Sequence, residues 1–125
     1  MTGEQILVVE DNEKNMKLFR DVLVATGFRT LEATTGGEAV EMASEHTPDL
    51  VLMDIQLPDI DGVQALHRLR ADARTATIPV LALTAQAMRG DRERFLAEGF
   101  DGYVSKPVNV HDLIETVRQH CGRIR

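Results

Sequence analysis

Five polar side chains share one position relative to their surroundings: each stands at the end of a short apolar run. Glu10 and Asp11 follow ILVV (6–9), Asp54 follows LVLM (50–53), Thr84 follows VLAL (80–83), and Lys106 comes just after YV (103–104). Carboxylates brought within a few ångströms repel strongly and persist as anions only beside a cation. Oxygen donors with room left for waters and a phosphate oxygen suit Mg²⁺, octahedral at ~2.0–2.1 Å, better than the softer metals. A threonine hydroxyl and a lysine ammonium opposite such a metal offer what the equatorial oxygens of a phosphoryl group need, together with nearby backbone N–H groups. Lys106 is set apart in its type, because the only other lysines, Lys14 and Lys17, belong to the first helix and the chain otherwise uses arginine. An ammonium makes a compact single-point contact where a guanidinium demands a wider fork. The set therefore reads as a Mg²⁺ site with one carboxylate left to react.

These residues are far apart in the chain, so only the elements that carry them can bring them together. Runs that are short, continuous and rich in Val, Ile and Leu suit strands buried on both faces. RTLEAT (29–34) supplies a fifth, mixed strand between the first two runs. Segments with helical spacing lie between. Met16, Phe19 and Leu23 recur at three and four, and Thr35 to Glu38 opens a second helix as a capping box ahead of Ala39, Met42 and Ala43. Further helices are expected over Gly62–Ala73, Ala87–Glu98 and Val110–Gly122, with Asp61 and Asn109 as N-caps of the first and last of these. Five strands alternating with five helices imply a doubly wound α/β fold, a parallel sheet with helices on both faces. RTLEAT and DGYVS are the least apolar strands and belong at the edges. The flavodoxin-like order 2-1-3-4-5 meets that demand and opens a crevice at the C-terminal ends of strands 1 and 3. In that order strands 1, 3, 4 and 5 are neighbours, so Glu10, Asp11, Asp54, Thr84 and Lys106 meet on one rim.

Bulk properties narrow the function. At 125 residues the chain is expected to be one domain, 1–125, without an output domain. A net charge of −6, with eleven arginines spread along the chain, argues against direct nucleic-acid binding. No apolar run approaches the ~20 residues of a membrane span, and no signal segment opens the chain, so a cytoplasmic location is expected. The four histidines are scattered and cannot build a zinc site with the one cysteine, Cys121, which reads as a packing residue.

The stretches VEDN (9–12), VLMDIQLP (51–58), ALTA (82–85) and YVSKP (103–107) together resemble the receiver domains of two-component response regulators, in order and spacing over nearly the whole chain. The wording around NMKLF, LMDIQLP and Thr84 to Asp91 is similar to DivK-type stand-alone regulators and to receivers attached to hybrid kinases. The resemblance implies that Asp54 accepts a phosphoryl group from a phosphohistidine of a sensor histidine kinase or a histidine phosphotransfer protein. It implies that Asp11 binds Mg²⁺ directly, with Glu10 assisting and the backbone carbonyl of Gln56 completing the protein ligands beside Asp54. Thr84, the Ala85 N–H and Lys106 would hold the phosphoryl oxygens. Tyr103 would turn inward as Thr84 moves, and Lys106–Pro107 would be cis. A changed surface of helix 4, strand 5 and helix 5 would be read by a downstream protein effector or kinase. Such a protein acts on itself, catalysing only its own phosphorylation and dephosphorylation.

Each residue alone has a plainer reading: Asp54 as a strand-end acid, Lys106 as a solvated lysine, Thr84 as a strand residue, Tyr103 as packing on an edge strand. Helix 1, with Lys14, Lys17 and Phe19 beside the acidic rim, is the expected kinase-docking face. Gly90 in its first turn, and Gln86 and Met88 as no strong cap, make helix 4 the expected soft part of the molecule. Two rival chemistries fail on the residues. A calcium loop centred on Gly62 puts Leu57 and Arg68 where acids are required. A haloacid-dehalogenase-type phosphatase needs an acid two residues after the acceptor, where Gln56 stands, and an amide is not a general acid. A receiver cut from a hybrid kinase and a binding module without phosphorylation remain as alternatives. Gln56 and Gln86 leave the lifetime of the phosphorylated state open.

Overall fold

A computed structural model of the chain describes residues 3–85 and 91–121. Five parallel strands form one sheet in the order β2-β1-β3-β4-β5. They are β1 (Gln5–Val9), β2 (Arg29–Ala33), β3 (Leu50–Asp54), β4 (Val80–Thr84) and β5 (Gly102–Ser105). The central strands β3 and β4 are buried along their whole length, whereas the edges β2 and β5 are mostly half-buried. This is the arrangement that the contrast between apolar and mixed runs requires.

Alternation along the strands splits the core in two, because successive side chains point to opposite faces. Leu7, Val9, Val51, Met53, Val80 and Ala82 face helices α2 (Gly36–His46), α3 (Gly62–Ala71) and α4 (Asp91–Glu98). Ile6, Val8, Leu50, Leu52, Leu81 and Leu83 face α1 (Glu13–Thr26) and α5 (Val110–Cys121). Cys121 is buried in the second of these clusters, as a packing residue should be.

Local signals explain where the helices begin. Asn12, Thr35, Asp61 and Asn109 each accept a hydrogen bond from the backbone N–H three residues on, the N-cap geometry that satisfies an orphan donor. Glu38 completes its box one residue further back than expected, accepting from the Thr34 N–H at 2.8 Å. Helix α1 ends at Gly27, whose φ of 108° only glycine adopts readily.

Helix α3 stops at Ala71, two residues before the expected end at Ala73. Asp72 turns back to accept from the Arg74 N–H at 2.9 Å, and the buried Thr75 hydroxyl donates to the Leu69 carbonyl at 2.6 Å. These side-chain bonds offer the last helical turn an alternative to continuing. Helix α4 is described from Asp91; its expected start at Ala87, and Gln86, Met88 and Gly90, on which the expectation of a soft helix rests, lie outside the described residues, as does Gly122. Among the described residues no helix is long and apolar enough to cross a membrane.

Candidate functional site

The C-terminal ends of four neighbouring strands deliver the expected side chains to one rim. Parallel register sets Asp54 beside Leu83 and Thr84 beside Ser105, so the strand ending in Asp54, the strand ending in Thr84 and the strand that leads into Lys106 end together. Glu10, Asp54 and Thr84 are buried, at 1%, 5% and 5% exposure, whereas Asp11 is exposed. Carboxylate oxygens of Glu10, Asp11 and Asp54 all lie within 4.8 Å of one another.

Lys106 reaches into this group and bridges two of the acids. Its Nζ is 2.9 Å from Asp54 Oδ2 and 2.8 Å from Glu10 Oε1. Asp54 Oδ1 accepts from the Gln56 N–H at 3.0 Å, and Glu10 Oε2 accepts from the Asn12 N–H at 3.2 Å. Glu10 Oε1, by contrast, is buried and meets the ammonium without a well-directed hydrogen bond. Burial raises the Glu10 pKa, the Asp54 charge adds to that, and the Lys106 contact only partly offsets it. Burial also works against a charged Lys106, but its contacts with Glu10 and Asp54 outweigh that and hold its pKa above the ordinary lysine value. The ammonium is therefore fixed as a cation between two acids.

Three acids against one ammonium leave an excess of negative charge, two of the acids are buried, and one buried oxygen lacks a well-placed donor. These residues fit a hard divalent cation, which takes oxygen donors and neutralises what Lys106 cannot. A cleft of about 60 Å³ adjoins them, walled by Asp54, Gln56, Thr84, Ala85, Arg94 and Lys106. Gly62 packs against the backbone of the same strand end: a Cβ there would sit 2.5 Å from the Asp54 carbonyl oxygen, so the chain can pass this close only as glycine.

Tyr103 lies on the same sheet face as Thr84, one step back along the neighbouring strand, opposite Ala82. It is half-buried, with its ring centroid 6.2 Å from that of Phe95. The Lys106–Pro107 peptide is cis, as expected.

Three features were not legible in the sequence or were misread. Asp59 looks like a turn residue leading into α3, yet its two carboxylate oxygens accept from the Gly36 and Gly37 N–H groups at 2.8 Å each. It thereby ties the loop after Asp54 to the N-terminus of α2, and backbone donors, Gly37 first and then Ile60 and Gly36, lower its pKa to about 2. Arg94 joins the cleft from α4, and no motif marks it. Phe19 does not belong to a docking face: it is 1% exposed and packs under α1, because it continues the apolar stripe of Met16 and Leu23. Of that expected face only Lys14 and Lys17 reach solvent, and Lys17 pairs with Asp21.

Comparison with known proteins agrees with this geometry. Residues 6–118 match the response regulator receiver domain family. The polar-differentiation response regulator DivK of Brucella ovis is 47% identical over 119 residues, covering 95% of this chain and 97% of that one. Among solved structures, the receiver domain of a sensor histidine kinase from Pseudomonas aeruginosa, with a magnesium ion coordinated in its active site cleft, is 36% identical with a TM-score of 0.89, over 97% of this chain and 99% of that chain. A receiver domain of a histidine kinase from Syntrophus aciditrophicus is 30% identical with a TM-score of 0.89, over 98% and 93%. The charge-rich rim at the strand ends is thus the rim of a signalling domain, and the chain belongs to the response regulator receiver domain family of two-component systems.

Proposed function

We propose that Asp54 is the phosphoryl acceptor of this receiver, in a reaction that requires Mg²⁺. The observation that carries the reading is the bridge of Lys106 between Asp54 and Glu10, at 2.9 and 2.8 Å, with Asp11 converging on the same oxygens. An acid at the end of a strand is ordinary; one held buried against a second acid by a single ammonium is not. Glu10, Asp11, Asp54 and the Gln56 carbonyl would hold the ion, which when bound supplies charge neutralisation for the incoming phosphoryl group.

The protein's own part is placement. The donor is a phosphohistidine of a sensor histidine kinase or of a histidine phosphotransfer protein. An Asp54 carboxylate oxygen attacks phosphorus, the P–N bond breaks, and its electron pair leaves on the imidazole. Lys106, already held against Asp54 before the reaction, and the Thr84 hydroxyl and Ala85 N–H receive the equatorial oxygens. Gln56, whose amide is not a general acid, does not turn the site into a phosphatase for small esters. Acylphosphate formation and hydrolysis on Asp54 are the only chemistry assigned.

Signalling follows from bistability. Thr84 drawn toward the phosphoryl group vacates space on the face it shares with Tyr103, and Tyr103 turns into it. The surface of α4, β5 and α5 then changes for a downstream protein effector or kinase, in proportion to that partner's preference for one state.

The test is mass spectrometry of protein incubated with Mg²⁺ and acetyl phosphate. The wild type gains the mass of one phosphoryl group and Asp54→Asn gains none. Modification that persists in Asp54→Asn would overturn the assignment.

A further inference from the structure

One wall of the phosphoryl cleft is unaccounted for by the residues above: Arg94, the fourth residue of α4. We propose that Arg94 is a second cationic contact for the phosphoryl group on Asp54, and that it couples that group to the aromatic packing beneath α4. The proposal rests on Asp54 being the acceptor.

Position is the first argument. Long side chains on a helix run back toward its N-terminus. In this fold the N-terminal ends of the helices lie on the same rim as the C-terminal ends of the strands. The Arg94 side chain is thereby carried toward Asp54, Thr84 and Lys106, with which it lines the cleft.

Charge is the second. Three carboxylates face one ammonium at the rim, and that ammonium is committed to Glu10 and Asp54. Phosphorylation replaces a singly charged carboxylate by a group carrying roughly −1.5 to −2 at neutral pH, with several new acceptor oxygens. Lys106 and Arg94 are the cationic side chains that the described residues bring to the cleft. A guanidinium presents a planar fork suited to two phosphoryl oxygens, which an ammonium cannot match.

Connection is the third. The Arg94 guanidinium carbon lies 4.7 Å from the centroid of the Phe95 ring. Phe95 is 2% exposed, packs edge-on against Phe100 at 5.8 Å, and stands 6.2 Å from Tyr103. A guanidinium drawn toward phosphate leaves the Phe95 face, and Phe95 is the ring against which Tyr103 rests. Phosphorylation would thus reach Tyr103 by two routes, through Thr84 along the sheet and through Arg94 and Phe95 along α4.

The experiment titrates beryllofluoride, a phosphoryl mimic, into protein saturated with Mg²⁺, followed by NMR, in wild type, Arg94→Ala, Arg94→Lys and Asp54→Asn. Because Arg94 is solvent-accessible, Arg94→Ala is expected to weaken beryllofluoride binding about three- to tenfold. Arg94→Lys, which keeps charge and loses the fork, falls between. The Mg²⁺ affinity of Arg94→Ala without beryllofluoride stays within about twofold of wild type, since the guanidinium is assigned to the phosphoryl group. In the wild type the Arg94 Nε–H resonance shifts on beryllofluoride addition. Unchanged beryllofluoride affinity in Arg94→Ala, or an equal loss of Mg²⁺ affinity, would overturn the proposal. Wild type that fails to bind beryllofluoride, or Asp54→Asn that binds it as well as wild type, would instead overturn the Asp54 reading beneath it.

Discussion

The two ends of the sheet both carry charged side chains at strand boundaries, and they treat them in opposite ways. At the N-terminal end Arg70 donates to the carbonyls of Ala76, Ile78 and Gly99 and to the Asp101 carboxylate, all between 2.7 and 3.2 Å. Asp101 also accepts from the Val80 N–H at 2.8 Å, and Asp49 accepts from the Gln5 N–H at 2.8 Å. Donors and acceptors there match, and the result is a staple joining α3, the start of β4 and the approach to β5. At the C-terminal end acids outnumber the ammonium, and the buried Glu10 Oε1 lacks a well-directed donor. Unpaired buried charge costs several kcal/mol per ion in ordinary structural settings. A cluster whose charges cancel holds a fold together; one left unbalanced is open to completion from outside, in the proposed function by a cation and a phosphoryl group.

That contrast can be broken by mutation. The largest effect is expected from Lys106→Met. Losing the fixed cation should slow phosphorylation by acetyl phosphate about 10²-fold, the scale of removing one preorganised electrostatic contact. It should also make thermal stability more dependent on Mg²⁺ than in the wild type, because Glu10 and Asp54 are left facing each other. Phosphorylation at the wild-type rate in Lys106→Met would remove the functional half of the comparison.

Arg70→Ala should do the reverse. Severing a staple of four bonds, partly exposed and so discounted for solvent, should cost about 2 kcal/mol by denaturant unfolding. Phosphorylation of the folded fraction should not change. A slower reaction at unchanged stability would place Arg70 in the active rim's network and erase the distinction.

Asp59 gives the smallest and sharpest check, because it joins the two kinds of region: a fully satisfied carboxylate five residues from Asp54. Its folded pKa of about 2 lies below the unfolded value of ~3.9. The stabilising contribution is therefore complete above the unfolded pKa and is lost as pH falls through about 2. Carboxyl carbon resonances followed against pH should show Asp59 titrating near 2. A midpoint near 4, the ordinary aspartate value, would mean that the loop after Asp54 is not held to α2.

Much of this molecule could be read before it was seen, and the reasons differ by element. The four apolar runs became strands because continuous Val, Ile and Leu leave no polar face, and the weaker runs went to the edges for the same reason. The caps at Thr35, Asp61 and Asn109 are local chemistry, so three or four residues sufficed to find them. The end of α3 was misplaced because Asp72 and Thr75 each offered the backbone a competing bond that periodicity does not register. Phe19 was misplaced because nearness to the acidic rim along the chain says nothing about which face of α1 a side chain takes, and its spacing with Met16 and Leu23 already pointed inward.

By itself the sequence determined the kinds of group available and the strand ends that carry them: Glu10, Asp11, Asp54, Thr84 and Lys106. Those follow from composition and periodicity, which act over a few residues. Tertiary structure alone decided that one ammonium would sit between Glu10 and Asp54, that Asp59 would reach back 22 and 23 residues to the glycines of α2, and that Arg94 would line the cleft beside Asp54 from a separate helix. Such pairings join residues distant in sequence through hydrogen bonds and charge, which leave no periodic trace. They exist only once the sheet has closed and its strand ends stand side by side.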